Sequence, residues 1–227
     1  ALIGRYPALE QCYQDTVRSY DDLITNRPVE FHAAYIANLE ATFTPLFKVI
    51  LDNRDALFGG SDQRVASLMM WHFVEEIEHR SSGLLLYRHL SPDPWYRVKH
   101  FRPTFRHVSE VAANIAAAFD RHIPFEERGA SATELMSPAL LVDEFRFRGP
   151  GGARRRARRP GAPTLFNAVP TSHLAKMAWR LALSQMPHHN PADQPLPEWA
   201  ATWMQEYEQG TDMTAFFGTP PATGNAR

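Results

Sequence analysis

The chain has 227 residues, 44% of them hydrophobic and 22% charged, with a formal net charge of -1. That length supports one good core, or one core with a smaller appendage, and the near-zero charge excludes a global pull toward nucleic acid or anionic membranes. No apolar run approaches the roughly 20 residues needed to span a bilayer, no signal-peptide pattern opens the chain, and the lone Cys12 excludes an intrachain disulfide, which fits a reducing cytoplasm.

The chain opens at Ala1 rather than at a Met, and ALIGRYPALE reads like the inside of a domain, so processing or a fragment is expected. Pro7 to Asn26 carries Leu9, Tyr13, Val17, Tyr20 and Ile24 at three- and four-residue spacings and predicts a first helix, with Asp21 and Asp22 solvated near its end. Pro28 opens a second helix, expected to run to about Phe58 and stop at Gly59 and Gly60. Ile36, Glu40, Phe43 and Phe47 share one face of it, which sets a single carboxylate among large apolar groups. Such a carboxylate wants a cation: a metal, or an Arg or backbone donor as the alternative. Pro45 should bend this helix one turn further on. His32 lies on the same stripe, but about 12 Å from Glu40 at the helical rise, too far to share one metal.

Ser61 is the expected N-cap of a third helix running to about His89, before Pro92 and Pro94. Its centre, WHFVEEIEHR from Trp71 to Arg80, is the richest stretch of the chain. At about 100° per residue, His72, Glu76 and His79 fall within an arc of about 60°. Val65, Leu68 and Met69 precede them on that face and Gly83 and Leu86 follow, so the face is expected to point inward. Two imidazoles and a carboxylate buried together would cost several kcal/mol without partners, and a metal ion satisfies all three. Glu76-x-x-His79 is also the spacing by which helical bundles place a carboxylate and an imidazole on one metal of a pair. Glu75 sits at the edge of the arc as an orienting or bridging group with a catalytic role, whereas Glu78 reads as a solvated charge.

Arg106 to His122 predicts another helix with an Ala-rich middle, in which His107 and Glu110 are surface residues or weak ligand candidates. Ser131 to Phe147 suggests a short helix broken at Pro138, and GPGGARRRARRPGAP from Gly149 to Pro163 suggests a solvated arginine-rich loop. Thr171 to Met186 and Pro197 to Glu208 predict two more helices, joined by a turn-rich stretch holding His188 and His189, and a disordered tail is expected from Gly218. No hairpin signal, repeat, phosphate loop, G-x-S-x-G elbow or CxxC occurs. The fold expected is all-α, a metal-binding helical portion over residues 1–125 and a helical extension over 126–227 containing the arginine-rich loop 149–163.

WHFVEEIEH at Trp71 to His79 resembles the WHxxEExEHK signature of the predicted metal-dependent hydrolases, a ferritin-like helical family. ANLEATFTPL from Ala37 to Leu46 is similar to that family's ALEHFTA segment, with Glu40 at its glutamate and Ala41 at its histidine, and YPALE at Tyr6 to Glu10 is similar to the stretch before it. The family's other ligand segments, a glutamate in a GERFF-like stretch and a QExxH, have no counterpart here. The resemblance therefore implies a partial ferritin-like bundle, in which two N-terminal helices have been lost or half the site is lacking. Arg80 replaces the usual lysine and SSGLLLY replaces a VAFD-type continuation, which separates the substrate more than the fold. The ligand helix also resembles that of the p-aminobenzoate N-oxygenases, which are di-iron enzymes.

Together these readings predict a cytoplasmic metalloenzyme acting on an organic small molecule, by hydrolysis or by di-iron oxidation. Glu40, His72, Glu76 and His79 are the expected metal ligands, and Glu75 and Glu76 the expected catalytic carboxylates. The cofactor expected is a divalent metal, foremost an iron pair, with zinc or manganese as alternatives. A homodimer is compatible, and neither a nucleic-acid nor a membrane partner is expected. A mononuclear zinc hydrolase and a non-enzymatic helical scaffold with a vestigial site stand as the alternatives.

Overall fold

A computed structural model describes residues 2–135, 165–194 and 196–218; the arginine-rich loop and the tail beyond 218 lie outside them. All regular elements among the described residues are helical. The longer ones are α1 (Glu10–Asn26), α2 (Val29–Asp52), α3 (Gln63–Glu78), α4 (Ser82–Leu90), α5 (Pro94–His122), α6 (Thr171–Ser184) and α7 (Glu198–Glu208). The chain divides into two compact units, each drawn from two stretches: Ala1–Ile36 with Tyr87–Pro160, and Ala37–Leu86 with Gly161–Arg227.

In the first unit α5 is longer than the periodicity of its second half predicts. Asp93 caps it by accepting from the Trp95 amide at 2.9 Å, Pro94 occupies its first turn, where no amide is needed, and the helix runs on through Pro103. His107 ties three segments together. Its Nε2 lies 2.8 Å from Ser19 Oγ on α1, its Nδ1 lies 2.9 Å from the Tyr35 hydroxyl on α2, and its ring meets the Tyr20 ring edge-on at 4.9 Å. This residue is therefore a structural bridge. At the other end of α5, Asp120 accepts from the Ala132 and Thr133 amides at 2.7 and 2.9 Å, from Ser131 Oγ at 2.8 Å and from Arg128 Nη1 at 2.6 Å. It caps the short helix Ala132–Leu135, the only described part of the helix expected from Ser131 to Phe147.

The second unit holds the larger core. Met70, Phe73, Val74 and Ile77 of α3 recur at helical spacing and pack with Phe47 and Leu51 of α2, Ala200 and Trp203 of α7, and Phe216. Phe47 stacks on Phe73 at 4.7 Å between ring centroids. Burying each such side chain contributes roughly 1.5–3 kcal/mol, so this stripe fixes which way α3 faces. Behind it, the 3-10 turn Met213–Gly218 closes against α3, with the Phe217 amide donating to Ser67 Oγ at 3.1 Å.

Three boundaries differ from expectation. The cap of α3 is Asp62 rather than Ser61: its carboxylate accepts from the Arg64 and Val65 amides, an arrangement a serine one residue earlier does not reach. The second helix is interrupted at Asn53 before the short segment Arg54–Phe58. The third breaks at a 3-10 turn, His79–Ser81, and resumes as α4.

Candidate metal centre

The side of α3 that carries the expected ligands does not point inward. Val65 and Leu68 are 58% and 61% exposed, Leu86 is 47% exposed, and His72 and His79 are exposed as well. The helix has two apolar faces, and the one with Phe73 and Ile77 wins the core because its aromatic and branched groups meet Phe47 and Trp203. The ligand side is left at the surface.

Within the second unit, Glu40 and the ligand stripe nevertheless belong together. Glu40 Oε2 accepts a 2.7 Å hydrogen bond from the Gly83 amide in the first turn of α4. That amide is one of those a helix start leaves without an intrahelical partner, so a carboxylate there is favoured both as acceptor and by the helix dipole. Burial pushes the Glu40 carboxyl above its ordinary range, the Gly83 hydrogen bond and the His79 imidazole draw it down, and the Glu76 carboxylate pushes it up again. No Lys or Arg pairs with Glu40 among the described residues.

His72 Nε2 stands 3.9 Å from Glu76 Oε1 one turn along α3, with 48% and 30% of the two side chains exposed. The Phe47 ring lies 6.3 Å from the His72 ring and walls that side. Glu75 is half-buried and Glu78 exposed. His79 still donates its amide to the Glu75 carbonyl and so keeps the register of α3, and the 3-10 turn begins at it. Periodicity alone misses both the 3-10 turn and the Gly83 amide that holds Glu40.

These donors suit a divalent cation in kind: two imidazoles and two carboxylates, of which Glu40 is half-buried and has no Lys or Arg beside it among the described residues. Among the described residues, however, no three His, Cys, Asp or Glu side chains gather into a metal-holding group. His188 and His189 lie beside Arg180 and Asp193 in a cavity of about 400 Å³, separate from this stripe.

No helix among the described residues is long and apolar enough to cross a membrane. No curated protein and no solved structure matches the chain. The profile of the family described as predicted metal-dependent hydrolase matches residues 4–136, more than half of the chain and all of the Glu40, His72, Glu76 and His79 set, and the chain belongs to that family.

Proposed function

We propose that this protein hydrolyses an organic small molecule with the aid of a divalent metal held by Glu40, His72, Glu76 and His79. The observation that supports this most directly is Glu40, a half-buried carboxylate that no Lys or Arg pairs among the described residues and whose electrostatic neighbours are His79 and Glu76. The metal, when bound, supplies a Lewis acid that makes water nucleophilic near neutral pH. The residues of the chain do the rest. His72 and His79 would offer imidazole nitrogens and Glu40 and Glu76 carboxylate oxygens to it, and Glu75 on the neighbouring arc would orient a ligand and serve as proton acceptor.

Iron is the metal first expected, with zinc or manganese as alternatives, and a cytoplasmic setting fits the lone cysteine. Replacing His79 with Ala tests the assignment: bound metal should fall well below that of the parent, and unchanged content overturns it. A second reading, oxidation at an iron pair, is favoured by the HxxxExxH pattern of α3. Visible-region absorption after aerobic iron loading separates the two, since a zinc hydrolase has no such bands.

A further inference from the structure

We propose that the second unit carries a binding site for a phosphate monoester, formed between α2 and α6 and separate from the candidate metal centre. A cavity of about 190 Å³ lies there, and its lining includes Lys48 and Asp52 of α2 and His173, Lys176 and Arg180 of α6. The three residues of α6 recur at three- and four-residue spacings, so one stripe of that helix supplies them all. Lys48 stands eight residues past Glu40, about 12 Å of helical rise, too far for one group to bind both.

Charge carries the first step. Asp52 is the one carboxylate of this lining, and it is paired with Lys48 at 2.8 Å. No ion pair joins Lys176 or Arg180 among the described residues, which leaves the lining with two positive charges in excess. A doubly charged oxyanion balances them, and the guanidinium fork of Arg180 matches the oxygens of a phosphate. The sequence outside the described residues does not make up the difference. Residues 136–164 carry seven arginines against Asp143 and Glu144, and residues 219–227 hold no Asp or Glu. The wall is also held in place: His173 Nδ1 lies 3.1 Å from Asn53 Oδ1, and Asn53 Nδ2 donates to the Val49 carbonyl at 2.7 Å.

The neighbouring space carries the second step. Arg180 also lines the cavity of about 400 Å³, a volume in the range of small-molecule sites. The smaller cavity suits the anionic group alone, and the larger one has room for a carbon skeleton attached to it. Leu183 and Met186 give the larger cavity an apolar side. Its carboxylate, Asp193, accepts from Asn190 Nδ2 at 3.1 Å and makes no ion pair with Arg180. Gln194 lines the same cavity, and its Oε1 is buried without a hydrogen-bond partner among the described residues. A buried acceptor of that kind is satisfied by a donor on the ligand, so the skeleton bears a hydroxyl.

Isothermal titration of the full chain in chelator, at fixed ionic strength and about pH 8, where a phosphate monoester is a dianion, tests this with glycerol phosphate, inorganic phosphate and acetate as probes. Chelator removes any metal that could itself hold an anion. Glycerol phosphate should bind saturably with a Kd below about 1 mM, inorganic phosphate more weakly, and acetate not at all in that range. Arg180→Gln should keep the parental circular dichroism spectrum and lose at least about tenfold in affinity. Asp52→Asn removes the carboxylate and should bind about threefold tighter, a gain that partial unfolding does not produce. Inorganic phosphate bound as tightly as glycerol phosphate overturns the ester assignment. Absence of saturable binding, acetate bound as well as the phosphates, or an affinity that Arg180→Gln leaves unchanged overturns the site.

Discussion

The Gly83 amide donates to Glu40 Oε2 at 2.7 Å, so one carboxylate both caps α4 and faces the Glu76 and His79 side chains. The two duties oppose each other in a metal-free chain. Capping favours the ionised form, and burial together with Glu76 disfavours it, with burial the larger effect.

Glu40→Gln and Glu40→Ala separate them. Because the folded carboxyl titrates above its unfolded value, its contribution to stability is present below the unfolded pKa and is lost as pH rises through the folded one. Gln keeps an acceptor for Gly83 and removes that loss, so metal-free Glu40→Gln should melt at or above the parent near neutral pH. Ala removes the acceptor and should cost about 1 kcal/mol. Both should weaken metal binding about 100-fold, and parental metal uptake should rise with pH as the proton leaves Glu40. Thermal melts in chelator and metal titrations at several pH values check this.

Helices were legible where composition forced them: the Pro28 start, the start of α3 after Ser61 and Asp62, and the Pro197 entry to α7 all appear in the structure within a residue or two. The resemblance at Trp71 to His79 was borne out at the level of the family. Which face of α3 is buried was not legible. Val65, Leu68 and Met69 make as good an apolar stripe as Met70, Phe73 and Ile77, and the choice falls to partners distant in sequence, Phe47, Trp203 and Phe216. The His79 break was hidden for a similar reason, since Gly83 takes its acceptor from Glu40, 43 positions away.

His107→Ala should destabilise the chain without changing its metal affinity. The residue loses hydrogen bonds to Ser19 and Tyr35, each worth about 1 kcal/mol, and an edge-on contact with Tyr20 worth roughly 0.5–1.5 kcal/mol. A loss of about 2.5–3.5 kcal/mol in denaturant unfolding is expected. A fall in metal binding at fully native conditions would instead make His107 part of the centre.

Asp120 gives an acid-side prediction of opposite sign to Glu40. Hydrogen bonds from Thr133, from its hydroxyl and its amide, with further ones from Ser131 and the Ala132 amide, hold its carboxyl well below the usual carboxylate range. A depressed acid contributes stability that is fully present above the unfolded pKa and is lost as pH falls through the folded one. Asp120→Asn should therefore melt below the parent at neutral pH, and the gap should narrow as pH falls below about 4, near the unfolded aspartate value. Melting curves from pH 7 down to the acid transition test this, and a gap independent of pH would place the effect in packing instead.

The two apolar faces of α3 yield the last prediction. Phe73 is buried between Phe47 and Phe58, with ring centroids 4.7 and 6.5 Å away, and Phe73→Ala removes an aromatic from the centre of the larger core. Such truncations cost about 3–5 kcal/mol through lost transfer energy and the cavity left behind. Leu68, one and a half turns earlier on the opposite side, is 61% exposed, and Leu68→Ala should cost no more than about 0.5 kcal/mol in the metal-free chain. Urea unfolding in chelator measures both.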